Sequence, residues 1–253
     1  MTAVIAAAGS GERLGAGGPK AFVPLAGQPM VEWSLDAFGA CESVAAIVVA
    51  VPPGMAEEAS SRLPAASSRH PNIRQVGPDD GSTLVVEGGA TRAQSVASAL
   101  AVVETGLVAI HDAARPLITP GLVEAIVATL EANPEAAGAI AATPVTDTVK
   151  QVARSSSPAF SPYSGENAGL SIEATLDRSR LWAAQTPQIF RTEALRRALE
   201  VNEATRDAAT DEAMLVEAAG GRVLLHRCGP ENLKVTTPLD LRVAAMLLSE
   251  RDA

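Results

Sequence analysis

A glycine-rich stretch at residues 9–20 has the residue types that hold a chain of phosphates. It reads Gly-Ser-Gly-Glu-Arg-Leu-Gly-Ala-Gly-Gly-Pro-Lys and follows an apolar run at residues 2–8. Glycines such as Gly9 and Gly11 let backbone N–H groups point into a concave turn, which binds anions. Arg13 and Lys20 add full positive charges. The sequence therefore predicts a triphosphate site, the alternative being a surface loop with two incidental cations.

This loop matches neither of the two most familiar phosphate-binding signatures. Leu14 stands where a dinucleotide-binding fingerprint needs its third glycine, and the residues up to Pro19 disfavour an immediate helix. A Walker loop needs Gly-Lys-Ser/Thr, whereas Lys20 lies between Pro19 and Ala21. A different, longer kind of phosphate loop is indicated.

Asp112 is the predicted metal ligand. It follows the strand-like run of residues 107–110 and should emerge at the carboxyl end of that strand. A carboxylate facing the phosphate loop is the hard oxygen ligand that a nucleotide-bound Mg²⁺ takes. The alternative is that Asp112 caps the next turn or pairs with Arg115. We expect His111 to be a hydrogen-bonded structural histidine.

Two further polar segments could contact a ligand. The turn at residues 87–95 joins a predicted strand to a predicted helix, and Gly89 permits the close approach of a flat ring while Ser95 offers a hydrogen bond. A plain helix cap is the alternative for this turn. Lys234 precedes the last predicted helix, where an ordinary solvated lysine is the default.

Short apolar runs alternate with segments of helical periodicity along almost the whole chain. The predicted strands are residues 2–8, 45–51, 83–87, 107–112, 137–145 and 222–228. The predicted helices are residues 29–39, 54–63, 91–104, 120–132, 192–201, 209–219 and 237–250. Because several strands are apolar on both faces, we expect an α/β fold: a Rossmann-like, mostly parallel sheet with helices on both faces. Ligands then bind at the carboxyl ends of the strands, where both the phosphate loop and Asp112 fall.

Residues 146–180 interrupt this alternation. Strand-like stretches at 148–152 and 170–176 flank a tip rich in serine and proline, which predicts a protruding β-hairpin arm. An isolated hairpin is marginal in water, so we expect the arm to pack on a second copy of the chain; a disordered linker is the alternative. With no second full domain apparent after residue 180, one domain over residues 1–253 is expected.

Composition excludes several classes of partner. The chain has 253 residues, a net charge of −9, 47% hydrophobic and only 3% aromatic residues. It can bury a large core, but it is poorly suited to stacking nucleic-acid bases or to binding anionic backbones and membranes. Cys41 and Cys228 lack metal-ligand spacing and are expected to be reduced packing residues. With no targeting segment and no membrane-spanning run, a soluble cytoplasmic protein is expected.

The order of the motifs resembles that of one enzyme family. They are Gly-x-Gly-x-Arg at 9–13 with Pro19-Lys20, Gly88-Gly89…Arg92…Ser95, His-Asp-Ala-Ala-Arg-Pro at 111–116, Asp147-Thr148…Lys150, Asp177-Arg178, Gln-Thr-Pro-Gln at 185–188 and Asn-Leu-Lys-Val-Thr at 232–236. This arrangement is similar to that of the 2-C-methyl-D-erythritol 4-phosphate cytidylyltransferases and covers nearly the whole chain. The motifs at 111–116 and 185–188 are the most specific.

The resemblance implies a nucleotidyl transfer. CTP and 2-C-methyl-D-erythritol 4-phosphate would give 4-diphosphocytidyl-2-C-methyl-D-erythritol and pyrophosphate, in the non-mevalonate route to isoprenoids. The acceptor phosphate is already an anion, so cations that neutralise both partners matter more than an acid or a base. The resemblance further implies Mg²⁺ as cofactor, near Asp112, and a homodimer whose arms reach into each other's active sites.

The same resemblance assigns roles to single residues. Arg13 and Lys20 would stabilise the transition state. The nucleotide would contact Ala7, Ala8, Gly9, Gly11, Gly89, Ser95 and Asp112. Arg178 and Lys234 would hold the acceptor phosphate during catalysis. The acceptor site would also include Arg115, Thr148 and Thr186.

Two other functions compete with this one. Ribitol 5-phosphate cytidylyltransferases share the scaffold, but Ala114 and the motif at 185–188 favour methylerythritol phosphate. A nucleotide-sensing module without turnover is the alternative from another class, and the charged residues of the phosphate sites argue against it. Ala90 and Thr91 stand where members of the family often carry acidic residues.

Overall fold

The computed structural model describes residues 1–9, 11, 14, 18–63, 83–153, 171–201 and 203–251. The strands in these ranges are β1 Thr2–Ala6, β2 Pro24–Leu25, β3 Gln28–Pro29, β4 Ala46–Val51, β5 Leu84–Glu87, β6 Leu107–Asp112, β7 Gly138–Pro144, β8 Lys150–Val152, β9 Ile172–Thr175, β10 Trp182–Arg191 and β11 Val223–Arg227. The α-helices are α1 Met30–Gly39, α2 Ala56–Arg62, α3 Arg92–Leu100, α4 Pro120–Glu131, α5 Thr192–Leu199, α6 Glu203–Ala208, α7 Glu212–Ala218 and α8 Pro238–Arg251. All six strands and seven helices expected outside the arm are present.

A seven-stranded sheet in the order β11-β7-β10-β6-β1-β4-β5 forms the centre of the fold. Only β10 runs antiparallel to its neighbours, and every other pair in this sheet is parallel. The expected mostly parallel α/β fold is therefore confirmed. The sequence did not predict β10, whose centre, Gln185–Gln188, is polar and coincides with a shift in strand register.

Helices cover both faces of the sheet because successive side chains of each central strand point to opposite sides. On one face Ile5 and Val49 join a core with α1 and α4. On the other face Val4 and Val48 join a core with α3, α5 and α7. Within the described ranges no helix is long and apolar enough to cross a membrane. Cys41 and Cys228 are buried free thiols, as expected for packing residues.

Strand register brings the carboxyl ends of the parallel strands to one edge. Ala6 of β1 pairs with Asp112 of β6 on one side and with Ala50 of β4 on the other. Val51 of β4 pairs in turn with Glu87 of β5. The segments that follow these strands therefore start side by side, and they are the segments in which the sequence places its candidate site.

Side-chain caps fix where the helices near this edge begin. Thr91 accepts a hydrogen bond from the backbone N–H of Gln94 at the start of α3. Asp211 accepts one from Met214 N at the start of α7, at 3.0 Å. Such caps satisfy N–H groups that the first turn of a helix leaves without partners. The residues next to them, Arg92 and Glu212, are consequently held at defined positions.

The described part of residues 146–180 contains the two strands expected for the arm. β8 and β9 form a separate antiparallel pair, with Lys150 opposite Thr175 and Gln151 opposite Ala174. The expected tip, residues 154–170, lies outside the described residues. That the arm protrudes and packs on a second chain stays a prediction.

Candidate active site

A cavity of about 700 Å³ opens at the carboxyl edge of the sheet. Its size is within the range of small-molecule sites. The sequence-predicted residues that line it are Ala7, Ala8, Gly9, Gly11, Lys20, Gly89, Ser95, Asp112 and Lys234. Arg13 lies outside the described residues. The structure thus brings the predicted nucleotide-binding segments together, while the role of each residue stays a prediction.

The described parts of the glycine-rich loop fold back onto its beginning. The backbone N–H of Lys20 donates to Gly9 O at 3.2 Å, which places Lys20 beside the end of β1. Gly11 has φ +73°, and a Cβ there would lie 3.0 Å from Lys20 Cβ and 3.2 Å from Gly18 O. Glycine is therefore needed at this position for both conformation and space. The result is a cation beside a run of small residues at the mouth of the cavity.

The turn between β5 and α3 forms a second wall of the cavity. Gly88 N donates to Val51 O at 2.7 Å, and a Cβ on Gly88 would lie only 2.5 Å from Ser95 Oγ. Ser95 accepts from Gly89 N at 3.1 Å and donates to Thr91 O at 2.9 Å. The buried Ser95 hydroxyl therefore fastens the turn, in addition to its predicted place beside the nucleotide.

A carboxylate from a remote helix reaches the same turn. Asp207 of α6 accepts from the Thr91 hydroxyl and from Gln94 Nε2, each at 3.0 Å. Gln94 Oε1 also accepts from Ala90 N at 2.9 Å. Asp207 thus supplies an acidic group next to the turn. No local pattern around Asp207 pointed to this contact.

Asp112 lies between two cations. Arg92 Nε donates to its Oδ1 at 3.0 Å, and Lys234 Nζ donates to its Oδ2 at 2.6 Å. Burial by itself would raise the pKa of Asp112, but the two cations and their hydrogen bonds hold it well below its usual range. The carboxylate is therefore ionised. Its ion-pair partners are Arg92 and Lys234 rather than Arg115, the partner considered from the sequence.

Arg92 also binds a second carboxylate, which the sequence did not single out. Its Nη1 donates to both carboxylate oxygens of Glu212, at 2.5 and 2.6 Å. Glu212 lies at the start of α7 and is only 1% exposed. Burial raises the pKa of Glu212, and the charge and hydrogen bonds of Arg92 oppose this shift. Arg92, Asp112, Lys234 and Glu212 thus form one network of ion pairs.

The backbone of Asp112 is held by a chain of directed hydrogen bonds. Asp112 N donates to Thr186 Oγ1 at 3.0 Å, and Thr186 Oγ1 lies 3.1 Å from His111 Nδ1. The other ring nitrogen, Nε2, lies 3.2 Å from Arg115 O, which only accepts, so Nε2 carries the proton and the Thr186 hydroxyl donates to Nδ1. Burial lowers the pKa of His111 to about 3 and keeps the ring neutral.

The loop that carries Lys234 is tied to β10 and to the segment after β6. Asn232 Nδ2 donates to Gln185 Oε1 at 2.8 Å and to Thr186 O at 2.9 Å. Arg115 Nη1 donates to Asn232 O at 2.7 Å. Neither Arg115 nor Thr186 lines the cavity. Both are hydrogen-bonded into the framework of the site, and their contact with the acceptor, implied by the resemblance, stays a prediction.

Arg178 and Thr148 lie apart from the cavity of their own chain. Both are exposed, and neither is among the residues that line it. Arg178 Nη1 donates to Thr146 O, which joins the two sides of the arm at its base. Their predicted contact with the acceptor stays a prediction.

The donor set suits a metal ion that arrives with its nucleotide. Within the described ranges there is no group of three or more His, Cys, Asp or Glu side chains that could hold a metal. Asp112 offers a single carboxylate, and Mg²⁺ is commonly bound through one or two carboxylates together with substrate phosphates and water. Asp112 therefore fits Mg²⁺ as one ligand among several, provided that Lys234 moves off Oδ2.

A glycine-rich, lysine-bearing loop and a carboxylate at the carboxyl edge of a mostly parallel sheet are typical of nucleotidyltransferases. The family model of the 2-C-methyl-D-erythritol 4-phosphate cytidylyltransferases (IspD) matches residues 1–250. The chain belongs to this family, as the motifs at 111–116 and 185–188 predicted.

Individual relatives match over most of their length. A protein of Acidobacterium capsulatum named 2-C-methyl-D-erythritol 4-phosphate cytidylyltransferase is 40% identical over 258 residues, covering 99% of this chain and 98% of the relative. One of Streptomyces avermitilis with the same name is 40% identical over 252 residues, covering 98% and 92%. The crystal structure of the Thermus thermophilus cytidylyltransferase superposes with a TM-score of 0.69 at 32% identity, covering 97% of both chains.

Proposed function

We propose that this protein transfers the cytidylyl group of CTP to 2-C-methyl-D-erythritol 4-phosphate and releases pyrophosphate. Its family and the names of relatives at 40% identity support this activity. The observation that carries it is the meeting of Lys20, Asp112 and Lys234 around one cavity. These three residues come from segments far apart in the chain, so their convergence is a property of the fold.

The transfer requires two polyanions to approach each other. A phosphate oxygen of the acceptor attacks the α-phosphorus of CTP, the new P–O bond forms, and the bond to pyrophosphate breaks. Lys20 neutralises the triphosphate and the charge that develops on the leaving pyrophosphate. Small residues such as Ala7 and Gly89 let the nucleotide lie against the strand ends and hold the α-phosphorus in line.

Lys234 has the position of a group that can serve the acceptor. Its side chain is 43% exposed, and its ammonium group forms an ion pair with Asp112 at the edge of the cavity. A lysine has three donors on a flexible stem, so it can leave Asp112 for an incoming phosphate. Asp112 Oδ2 then becomes available as a ligand for Mg²⁺, which would supply charge neutralisation on the phosphates.

We also propose that the active protein is a homodimer in which the arm of one chain completes the site of the other. The arm exposes apolar side chains at Val152, Ile172 and Leu176, which water disfavours. Arg178 and Thr148, assigned to the acceptor by resemblance, lie on this same segment and not in the cavity of their own chain. A cytoplasmic location stays a prediction.

Mixing two inactive variants tests the shared site. Lys20→Ala disables the cavity and Arg178→Ala disables the arm. If sites are shared between chains, co-refolded mixtures contain heterodimers with one intact site and recover about a quarter of wild-type activity. Each variant mixed with itself is the control. A mixture that stays inactive while forming dimers would contradict the shared site.

The activity itself is tested by pyrophosphate release from CTP with Mg²⁺. Methylerythritol phosphate and ribitol 5-phosphate are supplied in parallel reactions. Selective turnover of the former is expected, and a preference for the latter would keep the chemistry but change the acceptor. CTP binding without pyrophosphate release from either acceptor would contradict the proposed transfer.

A further inference from the structure

We propose that Glu212, which lies outside the cavity, is a positioning residue for the transfer: it holds Arg92, and through Arg92 it fixes the orientation of the Asp112 carboxylate. This inference rests on the proposed function, since it concerns how Asp112 is presented to the nucleotide. Glu212 is not among the cavity-lining residues, whereas Arg92 and Asp112 are.

Glu212 is itself firmly held. It begins α7, and the residues on either side of it are bound to Gln188 of β10. Gln188 Nε2 donates to Asp211 Oδ2 at 2.9 Å, and Gln188 Oε1 accepts from Ala213 N at 3.2 Å. Because β10 pairs directly with β6, which ends at Asp112, the start of α7 and the site share one rigid support.

Arg92 divides its donors between two carboxylates. Nη1 donates to both oxygens of Glu212, and Nε donates to Oδ1 of Asp112. Since a guanidinium is planar, fixing one of its nitrogens fixes the direction of the others. Asp112 is consequently bound through Oδ1 alone on the Arg92 side, and Oδ2 stays on the side of Lys234.

Burying the carboxylate of Glu212 opposes folding. Removing its charge from water is unfavourable, and apolar residues of similar volume often stabilise a fold as well as a buried ion pair does. Packing therefore does not explain why Glu212 is charged. The pair instead fixes the side-chain orientation of Arg92, which borders the cavity.

Without Glu212, Arg92 has two competing choices. Two nitrogens of its guanidinium group can donate to Asp112, so that Oδ2 is occupied as well, or the group can turn to the triphosphate. The first change occupies Oδ2 and the second releases the carboxylate from Arg92, so in both cases Oδ2 is no longer held toward the ligand. CTP binding stays intact or becomes stronger, because Arg92 keeps its positive charge but is no longer paired with Glu212. Loss of Glu212 should therefore lower kcat without raising the KM for CTP, a split that general destabilisation does not produce.

The primary test is Glu212→Gln, which keeps the shape and removes the charge. We expect kcat to fall about 10–100-fold, as is usual for residues that orient a ligating group, with an unchanged or lower KM for CTP. Glu217→Gln is the matched control, because Glu217 is an exposed carboxylate on the same helix. A normal kcat in Glu212→Gln would overturn the proposal.

A double variant separates positioning from stability. Arg92→Met with Glu212→Met replaces the pair by apolar side chains, so no unpaired charge remains buried. Thermal melting should then be close to wild type while kcat stays low. Recovery of kcat in this variant would show that the pair serves folding only and would overturn the proposal, even if Glu212→Gln does not fold.

A binding measurement gives a readout that needs no turnover. Mn²⁺ affinity is measured by electron paramagnetic resonance in the presence of a non-hydrolysable CTP analogue. We expect Glu212→Gln to bind Mn²⁺ about 10–100-fold more weakly than wild type, and equal affinities would overturn the proposal. Failure of the proposed function gives a different result, because the wild-type protein itself would then release no pyrophosphate. The comparison of Mn²⁺ affinities between wild type and Glu212→Gln would still test the role of Glu212.

Discussion

Replacing Thr186 by valine should destabilise the protein far more than the small chemical change suggests. Thr186 is 4% exposed, and its hydroxyl accepts from Asp112 N at 3.0 Å and lies 3.1 Å from His111 Nδ1. Valine has nearly the same shape but neither donates nor accepts. His111 cannot compensate by moving its proton to Nδ1, because Nε2 would then lose its bond to Arg115 O.

The magnitude follows from the two groups that would be left without partners. A buried polar group that loses its hydrogen bond costs about 1–3 kcal/mol, so Thr186→Val should lower the free energy of unfolding by roughly 2–6 kcal/mol. At roughly 2–4 °C per kcal/mol for a chain of this size, the melting temperature falls by about 4–24 °C. Thr186→Ser keeps both hydrogen bonds and loses one methyl group, which costs only about 1 kcal/mol.

Thermal and denaturant unfolding of the three proteins measure this order of stability. We expect wild type to be the most stable, Thr186→Ser intermediate and Thr186→Val the least stable. If packing volume governed this position, the order of the two variants would be reversed, and that result would refute the reasoning. The kinetics of Thr186→Val distinguish two roles of Thr186. A fall in kcat fits a residue that positions Asp112, whereas a rise confined to the KM for the acceptor would support the predicted direct contact with the acceptor.

Three further predictions concern charge. Lys20→Ala should lower pyrophosphate release by about a hundredfold or more with an unchanged melting temperature, and Arg222→Ala, which removes only an exposed ion pair with Glu135, should change neither. Burial lowers the pKa of His111 from 6.5 to about 3, so the unfolded chain takes up a proton there before the folded one does. The free energy of unfolding should therefore fall by roughly 1.4 kcal/mol per pH unit as the pH drops from about 6.5 toward 4. A plot of melting temperature against pH should be flatter for His111→Asn than for wild type over this range. Finally, calorimetry with Mn²⁺ alone should show no tight binding, because Asp112 is a single carboxylate already bound to two cations; tight binding without CTP would contradict a metal that enters with its nucleotide.

The parallel strands were predictable because their signal is local. A strand such as Ala46–Val51 is buried on both faces, so every one of its side chains is apolar and the run stands out in the sequence. Strand β10 has no such signal at its centre. Gln185, Thr186 and Gln188 are buried there only because Asn232, His111 and Asp211 supply hydrogen bonds from remote parts of the chain. A polar buried strand cannot be recognised until its partners are known.

The candidate site divides in the same way. The glycine-rich loop and Asp112 were predicted to lie together because parallel strands end at one edge, and register alone places Ala6 opposite Asp112. The partner of Asp112 was not predictable. Arg115, three residues away, was the local candidate, but Arg92 binds it instead, held by Glu212 at the start of a helix 120 residues further along. Such a pairing depends on where α7 packs, which no spacing in the sequence encodes.

Most polar residues of the recognisable motifs turn their donors and acceptors inward. Ser95 fastens the turn after β5, Thr186 fastens the backbone of Asp112, and Asn232 fastens the loop of Lys234. A charged group stabilises a transition state best when it is already oriented and need not rearrange as the charge develops. The motifs therefore encode a rigid frame around a few charged groups, among which the half-exposed Lys234 can move. A substitution in that frame should lower kcat by misplacing a charge, even though the altered side chain never touches the ligand.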